Sequence, residues 1–253
     1  MNFVKKLLYF IAGMILLITI WQLLIIIGNY EEALFPPPRI VGQEIIRMVM
    51  DGTIFVHLQV SLGRFTAGYI LAVIPAIVLG MLLGRMPRVW RIVDPIVQVL
   101  RPVSPVAWSP FIVLWFGIGD IPAIVIIFIA AFFPVLITTV TGVMKIDRDY
   151  LKIAENMEIK QPALMTKIIL PATFPSIVSG LRLALGTAWI FLVAGEMVGA
   201  QSGLGYLIVD ARNTLNLAGV FAGIIFIGLS GFILDRLITL LEVRVGRHWG
   251  TSS

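Results

Sequence analysis

The sequence predicts an all-α polytopic membrane protein, with residues 1–253 forming one transmembrane domain of about six helices. Hydrophobic residues make up 59% of the chain and charged residues 13%, about half the charge expected of a soluble protein. The apolar residues fall into long runs that are nearly free of charge, which indicates membrane spans. The chain contains no cysteine, which excludes disulfides, cysteine-ligated zinc and thiol catalysis.

The first predicted span covers residues 7–27. This run is long enough to cross the hydrocarbon, and the residues after it offer no signal-peptide cleavage site, so we expect a retained anchor. A stiff break at Phe35-Pro36-Pro37-Pro38 follows, and then a short amphipathic helix over Val41–Met50. The other predicted spans cover residues 65–83, 95–118, 121–143, 177–198 and 218–234.

The third of these spans, residues 95–118, contains Pro95, Pro102, Pro105 and Pro110. Prolines this dense cannot continue one regular helix, because each removes a backbone donor and clashes with the preceding turn. Freed carbonyls at membrane depth need protein or a wet cavity around them, so we expect this segment to face the protein interior or a pathway. Between the fifth and sixth spans, residues 202–215 predict a short helix that dips in from the outer side.

The basic residues set the orientation. With the N-terminus inside, 13 of the 19 Lys and Arg residues fall in inner segments and 3 in outer loops. This asymmetry places both termini in the cytoplasm, as expected for a multi-pass protein of a bacterial inner membrane. The basic residues alternate with the spans and do not cluster, so no nucleic-acid partner is expected.

A charged segment, residues 145–171, lies between the fourth and fifth spans. Asp147 or Asp149 can cap a helix there, and helical spacing separates an apolar arc from a polar one. A helix with one apolar face and no core of its own lies on the bilayer or docks into a partner; we expect a partner, and an interfacial loop is the alternative. The expected docking residues are Tyr150, Leu151, Lys152, Ile153, Ala154, Glu155, Met157, Glu158 and Pro171.

This segment resembles the cytoplasmic coupling loop of ABC importer permeases, whose E-A-A…G…I-x-L-P pattern contacts the ATPase subunit. Its match consists of Ala154, Ile168, Leu170 and Pro171. Lys152 and Glu158 stand where the family has Glu and Gly. Glycine adopts positive φ readily and glutamate resists it, so the turn at Glu158 is where this departure matters.

Other stretches resemble the nitrate, sulfonate, taurine and bicarbonate branch of these permeases, in order along the chain. They are Leu34–Pro38, Asp94–Pro105, Leu114–Gly119, Ala130–Pro134, Gly180–Arg182, Ala188-Trp189, Glu196-Met197 and Ser202–Ile208. The resemblance implies the permease of a type I ABC importer, working as a homodimer with two cytoplasmic ATPases and an extracytoplasmic solute-binding protein. It implies import of a small, anionic solute by alternating access.

The resemblance also implies that the ATPase, a separate chain, carries ATP and Mg, and that this chain carries no cofactor. In agreement, the sequence has no phosphate-binding G-x-x-x-x-G-K-[ST] loop. No nucleophile–base pair, acidic dyad or metal cluster assembles within the spans, so we do not expect an enzyme. Two other functions are weighed. A stand-alone secondary transporter needs a repeat and a midplane coupling carboxylate; a non-transporting scaffold would recruit a soluble partner through the charged segment.

The candidate pathway residues are Arg101, Ser104, Trp108, Ser109 and Glu196. Arg101 can attract an anion, or it can reach the cytoplasmic surface or satisfy freed carbonyls instead. The serines and the tryptophan can line the path or pack helices. Glu196 can gate the path or hold the re-entrant segment, with Arg212 as a candidate partner. Its structural alternatives are a solvated interfacial carboxylate and a salt bridge, and we favour the salt bridge over a transport role.

A small-residue pattern in the fifth span, Gly180, Ala184, Gly186 and Ala188, suits close helix approach. A dimer seam and packing within one subunit explain it equally well.

Overall fold

The computed structural model describes residues 3–32, 34–147, 149, 152, 156–159 and 161–248, and confirms the all-α fold. Its α-helices are α1 (Phe3–Gly28), α2 (Pro38–Met50), α3 (Thr53–Arg85), α4 (Pro87–Leu100), α5 (Ser109–Phe116), α6 (Asp120–Met144), α7 (Leu170–Gly199), α8 (Leu204–Asn213) and α9 (Leu217–His248). A 3₁₀ turn, Pro105–Trp108, precedes α5, and a π-helical turn, Met165–Ile169, leads into α7.

Five helical segments within the described residues are long and apolar enough to cross a membrane. They are Ile11–Gly28, Thr53–Arg85, Asp120–Met144, Met165–Gly199 and Leu217–Leu240. A sixth crossing requires α4 and the segment Pro105–Phe116 to act together, although they bend by 83° at the break between them. This break lies where the sequence carries Pro102 and Pro105, which cannot continue a regular helix.

The centre of the bundle is α6, which packs between α3 and α7. Gly68 and Gly84 of α3 seat against it so closely that an added Cβ would lie 2.8 Å from the Ile127 Cβ and 2.6 Å from the Val143 Cβ. On the α7 side, a Cβ on Gly142 would lie 2.5 Å from the Ser176 Cβ. Small residues let helices in a membrane approach this closely, and dispersion contacts then hold them. The helices α3, α6 and α7 therefore form one tightly packed unit, called here the central unit.

The small-residue pattern of α7 mostly faces the same subunit. Ala184 and Ala188 are fully buried, and a Cβ on Gly180 would overlap the Thr138 hydroxyl of α6. Gly186 has open space around it. Packing within one subunit therefore accounts for three of the four positions.

The short helix α8 confirms the helix predicted over residues 202–215. It packs against α3, α7 and α9, with Leu204 fully buried at its first turn. After it, Leu215 takes φ 58° and the chain turns back into α9. The Asn216 side chain at that turn donates a 2.8 Å hydrogen bond to Glu44 Oε1 on α2. This hydrogen bond ties the turn between α8 and α9 to α2.

The first helix is held mainly near its end. Trp21 stacks on Phe221 of α9 with ring centroids 5.2 Å apart, and Phe35 packs edge-on against the same ring at 5.5 Å. Most other described side chains of α1 are exposed. In a membrane this surface is available to lipid or to another protein chain.

Candidate functional site

A buried polar cluster joins α3, the first turn of α6, the last turn of α7 and the start of α8. At its centre is Arg64 of α3, which is 4% exposed. Its Nη1 lies 2.9 Å from Glu196 Oε1 on α7, and its Nε lies 2.8 Å from Asp120 Oδ1 on α6. Its two Nη atoms also donate to the backbone oxygen and hydroxyl of Ser202. A charged side chain this deeply buried is tolerated because every neighbour accepts a hydrogen bond from it.

The same cluster satisfies the start of α8, whose first amides have no partner within the helix. The Leu204 N–H donates to Ser61 Oγ at 2.8 Å, and the Gly205 N–H donates to Glu196 Oε2 at 2.9 Å. The Gly203 N–H, just before the helix, donates to His57 Nδ1 at 3.1 Å. Since a helix N-terminus favours negative charge, the Glu196 carboxylate stabilises α8 as well as pairing with Arg64.

Two glycines make room for this carboxylate. Gly203 adopts φ 101°, and a Cβ on it would overlap Glu196 Oε1. A Cβ on Gly205 would lie 2.4 Å from the Val193 carbonyl oxygen and 2.8 Å from the Glu196 Cβ. Glycine at positions 203 and 205 therefore leaves the space that the Glu196 side chain occupies.

Glu196 is 1% exposed and forms the structural salt bridge weighed in the sequence. Its partner is Arg64, however, and not Arg212. Sequence reasoning missed Arg64, Ser61 and Asp120 as members of this cluster. Of these, Arg64 carried a signal, since a lone charge at the edge of a long apolar run needs a partner.

A second feature is a cavity of about 340 Å³ beside the break between α4 and the 3₁₀ turn. Its lining residues are Arg101, Pro102, Val103, Ser104, Pro105, Ile129, Ala130, Phe133, Pro134, Thr187 and Phe191. The α6 residues among them lie near the middle of that helix, which spans Asp120–Met144. Arg101 therefore stands at mid-depth of the bundle.

The predicted pathway residues separate into three places. Arg101 and Ser104 lie together in the cavity lining, whereas Trp108 and Ser109 do not line it. Trp108 is 37% exposed and Ser109 is buried. Glu196 belongs to the polar cluster around Arg64. Their role in transport stays a prediction.

The charged segment between α6 and α7 is described in part. Tyr150, Leu151, Ile153, Ala154 and Glu155 lie outside the described residues. Lys152 is exposed and pairs with Asp149 at 3.2 Å. The Asp149 N–H donates to Asp147 Oδ1 at 3.1 Å, a local bond that suits the start of a helix. Met157 is 68% exposed.

Glu158 takes φ 55°, the left-handed conformation that glycine adopts readily. The turn is therefore made here by a glutamate at the position where the coupling-loop pattern has Gly. Pro171 is the second residue of α7, which continues from the π-helical turn Met165–Ile169, so the proline removes one backbone donor at this junction.

The C-terminal end of α3 contacts the same segment. Arg85, in its last turn, places Nη1 3.8 Å from Met165 Sδ, and its guanidinium faces the side-chain amide of Gln161. Within the described residues, no group of three or more His, Cys, Asp or Glu side chains is placed to hold a metal ion.

Comparison with known proteins identifies the family. Residues 76–247 match the family described as binding-protein-dependent transport system inner membrane component. The putative aliphatic sulfonates transport permease protein SsuC of Bacillus subtilis is 37% identical over 226 residues, covering 89% of this chain and 82% of the relative. The taurine transport system permease protein TauC of Escherichia coli is 32% identical, covering 93% and 87%. The nitrate import permease protein NrtB of Leptolyngbya laminosa is 37% identical, covering 90% and 84%.

Among solved structures, a chain of the MetNI methionine ABC transporter in an inward-facing conformation matches with a TM-score of 0.59 and 21% identity. The match covers 79% of this chain and 95% of the other, and supports the type I importer fold. The resemblance seen in the sequence is thereby confirmed. This chain belongs to the binding-protein-dependent transport system inner membrane components, and within them to the branch of ABC importer permeases that contains SsuC, TauC and NrtB.

Proposed function

We propose that two copies of this chain form the membrane pathway of an ABC importer that takes up a small solute bearing an oxyanion group. An extracytoplasmic binding protein delivers the solute, and two cytoplasmic ATPases, which carry ATP and Mg, drive the cycle. The relatives support this solute class, because aliphatic sulfonates, taurine and nitrate each present negatively charged oxygens.

The observation that carries the proposal is the place of the charged segment. It joins α6 directly to the helix that becomes α7, two of the three helices of the central unit. The third, α3, meets the same segment through Arg85. A partner that moves this segment would therefore move the central unit as one body, because tightly packed helices shift together more readily than they deform.

The cycle follows from this connection. With both termini in the cytoplasm, as the Lys and Arg distribution favours, the charged segment faces the ATPases. Closure of the ATPase pair pulls on the segment, and the pathway between the two permease copies turns outward to accept solute. The two conformations must be close in energy, with ATP favouring one and its hydrolysis products the other.

The decisive experiment reconstitutes the permease in proteoliposomes with its binding protein, with and without the ATPase, and measures uptake of radiolabelled taurine, ethanesulfonate and nitrate. Uptake of at least one probe should require both the ATPase and ATP. Equal vectorial uptake without ATP would refute the proposal in favour of a secondary transporter. A complex that never couples hydrolysis to uptake of any probe would favour the scaffold.

The docking face can be tested by Ala154→Asp, which places a charge on the predicted apolar arc. We expect ATP hydrolysis to continue while uptake falls, because the segment no longer seats in the ATPase. Asn156→Asp adds the same charge at an exposed position on the other arc and serves as the matched control. Normal coupling in the Ala154 variant would show that the docking face was chosen wrongly.

A further inference from the structure

Arg101 is the charged group that the fold leaves unexplained. It lines the cavity at mid-depth of the bundle and is exposed in the single chain, and among the described residues no carboxylate forms an ion pair with it. An unpaired guanidinium inside a membrane protein is costly, and such groups usually mark a substrate or ion pathway. The contrast with Arg64 is direct, since that arginine has Glu196 and Asp120.

On the wall that carries Arg101, the unused backbone and hydroxyl donors belong to Ser104. The Val103 N–H is bonded to the Leu100 carbonyl, and Pro102 and Pro105 have no N–H. Ser104 differs, because neither its N–H nor its hydroxyl donates to a partner among the described residues, and the residue is exposed. The Arg101 guanidinium and the N–H and hydroxyl of Ser104 thus belong to residues that line the same cavity. Such a set of donors suits a ligand that only accepts hydrogen bonds.

The opposite wall is apolar. Ile129, Phe133 and Phe191 contribute it, from the middle of α6 and from α7. Thr187 adds a hydroxyl, but this hydroxyl donates to carbonyls of its own helix and of Ala130. At about 340 Å³ the cavity is at the small end of ligand sites in proteins, which run from about 300 to 1,000 Å³.

We propose that this cavity is a transient binding station for the transported oxyanion, with Arg101 and Ser104 holding the charged oxygens and the phenylalanine wall holding an alkyl group. The inference deepens the proposed function and rests on it. A sulfonate fits both walls, whereas nitrate uses only the donor wall. Because the site offers one full charge and few donors, it binds weakly enough to release its ligand, as a pathway requires.

The absence of cysteine makes a direct test possible without the ATPase. Thr187→Cys puts a single thiol on the wall opposite Arg101. The purified permease, in lipid nanodiscs, is then labelled with anionic sulfonatoethyl methanethiosulfonate and with its cationic trimethylammonium-ethyl counterpart. The ratio of the two rates reports the local charge preference, since changes in thiol reactivity affect both reagents alike.

We expect the anionic reagent to be favoured, and Arg101→Gln to lower the rate ratio by about tenfold, the effect of a nearby unit charge in a partly screened cavity. Arg91→Gln, an exposed arginine on α4 outside the lining, is the matched control and should leave the ratio unchanged. Ethanesulfonate should slow labelling with Arg101 present and not in the Arg101→Gln background. An unchanged ratio in that variant overturns the proposal. So does a thiol that reacts with neither reagent at position 187 and, as a second site, at Val103→Cys.

Transport in the full complex separates this inference from the proposed function. If wild type takes up ethanesulfonate and the Arg101→Gln variant does so as fast as the Arg91→Gln variant, the binding site at the cavity is refuted, while the proposal that the protein is an importer is supported. If wild type shows no ATP-dependent uptake of any probe, the importer proposal itself has failed.

Discussion

Replacing Arg64 with glutamine should destabilise the permease by about 3–5 kcal/mol, the usual cost of removing one partner from a buried ion pair. The change leaves the Glu196 carboxylate buried at 1% exposure, with only the Ser61 hydroxyl and the Gly205 N–H to stabilise it. Glutamine is too short and too weak a donor to replace contacts to Glu196, Asp120 and Ser202 at once.

Glu196→Gln should cost less, about 1–3 kcal/mol, the range for hydrogen bonds that involve a charged group. Its amide oxygen can still accept from the Gly205 N–H, and Arg64 keeps Asp120 as a partner. A larger loss of stability for Arg64→Gln than for Glu196→Gln is thus expected from this geometry. In the double variant no charge is stranded, so its loss should be smaller than the sum of the two single losses by at least about 1 kcal/mol.

The assay is reversible unfolding of the purified permease in mixed micelles, followed by circular dichroism and confirmed by thermal melting. Arg212→Gln, an exposed arginine on α8, is the control for loss of charge alone and should change stability by less than about 0.5 kcal/mol. Two results would contradict the reasoning: an Arg64 variant as stable as this control, or losses that simply add in the double variant.

Three further predictions concern other parts of the fold. Gly68→Ala, which pushes a Cβ to 2.8 Å from the α6 backbone, should destabilise by about 1–3 kcal/mol; Gly63→Ala on the same helix, in open space, should be neutral or stabilising in the same melts, and equal effects would deny the tight seam. Glu158→Gly removes an unfavourable positive φ and should stabilise by up to about 1 kcal/mol; a loss of stability would show that the glutamate side chain holds the turn. Arg47, through its side-chain hydrogen bond, keeps the pKa of Glu44 below its usual value. That stabilisation is complete above the ordinary pKa and disappears as pH falls through the folded one, so Glu44→Gln should flatten the acid side of a Tm-versus-pH curve; an unchanged slope would contradict the linkage.

The sequence by itself determined the class and most of the helices, while the side of the membrane that each loop occupies stays a prediction from the Lys and Arg distribution. The class and the helices follow from local properties. A long uncharged apolar run indicates a membrane span at any place in the chain, and closely spaced prolines such as Pro102 and Pro105 break a helix whatever surrounds them. The short helix α8 was likewise predictable. The turn at Glu158 was left open, because glutamate resists the positive φ that glycine adopts readily, and only the structure places φ 55° at this residue.

Tertiary structure alone decided which distant residues meet. Arg64 and Glu196 lie 132 residues apart, and no periodicity along one helix can say which face of another it will touch. Arg101 also shows what the sequence could not decide. Its neighbours in sequence allowed a position at the membrane surface, and only the packing of the helix break against the middle of α6 placed it at mid-depth. A charged side chain is costly anywhere inside a helix bundle. Whether the fold neutralises it or leaves it for a ligand depends on how the helices cross, and no local stretch of sequence specifies that crossing.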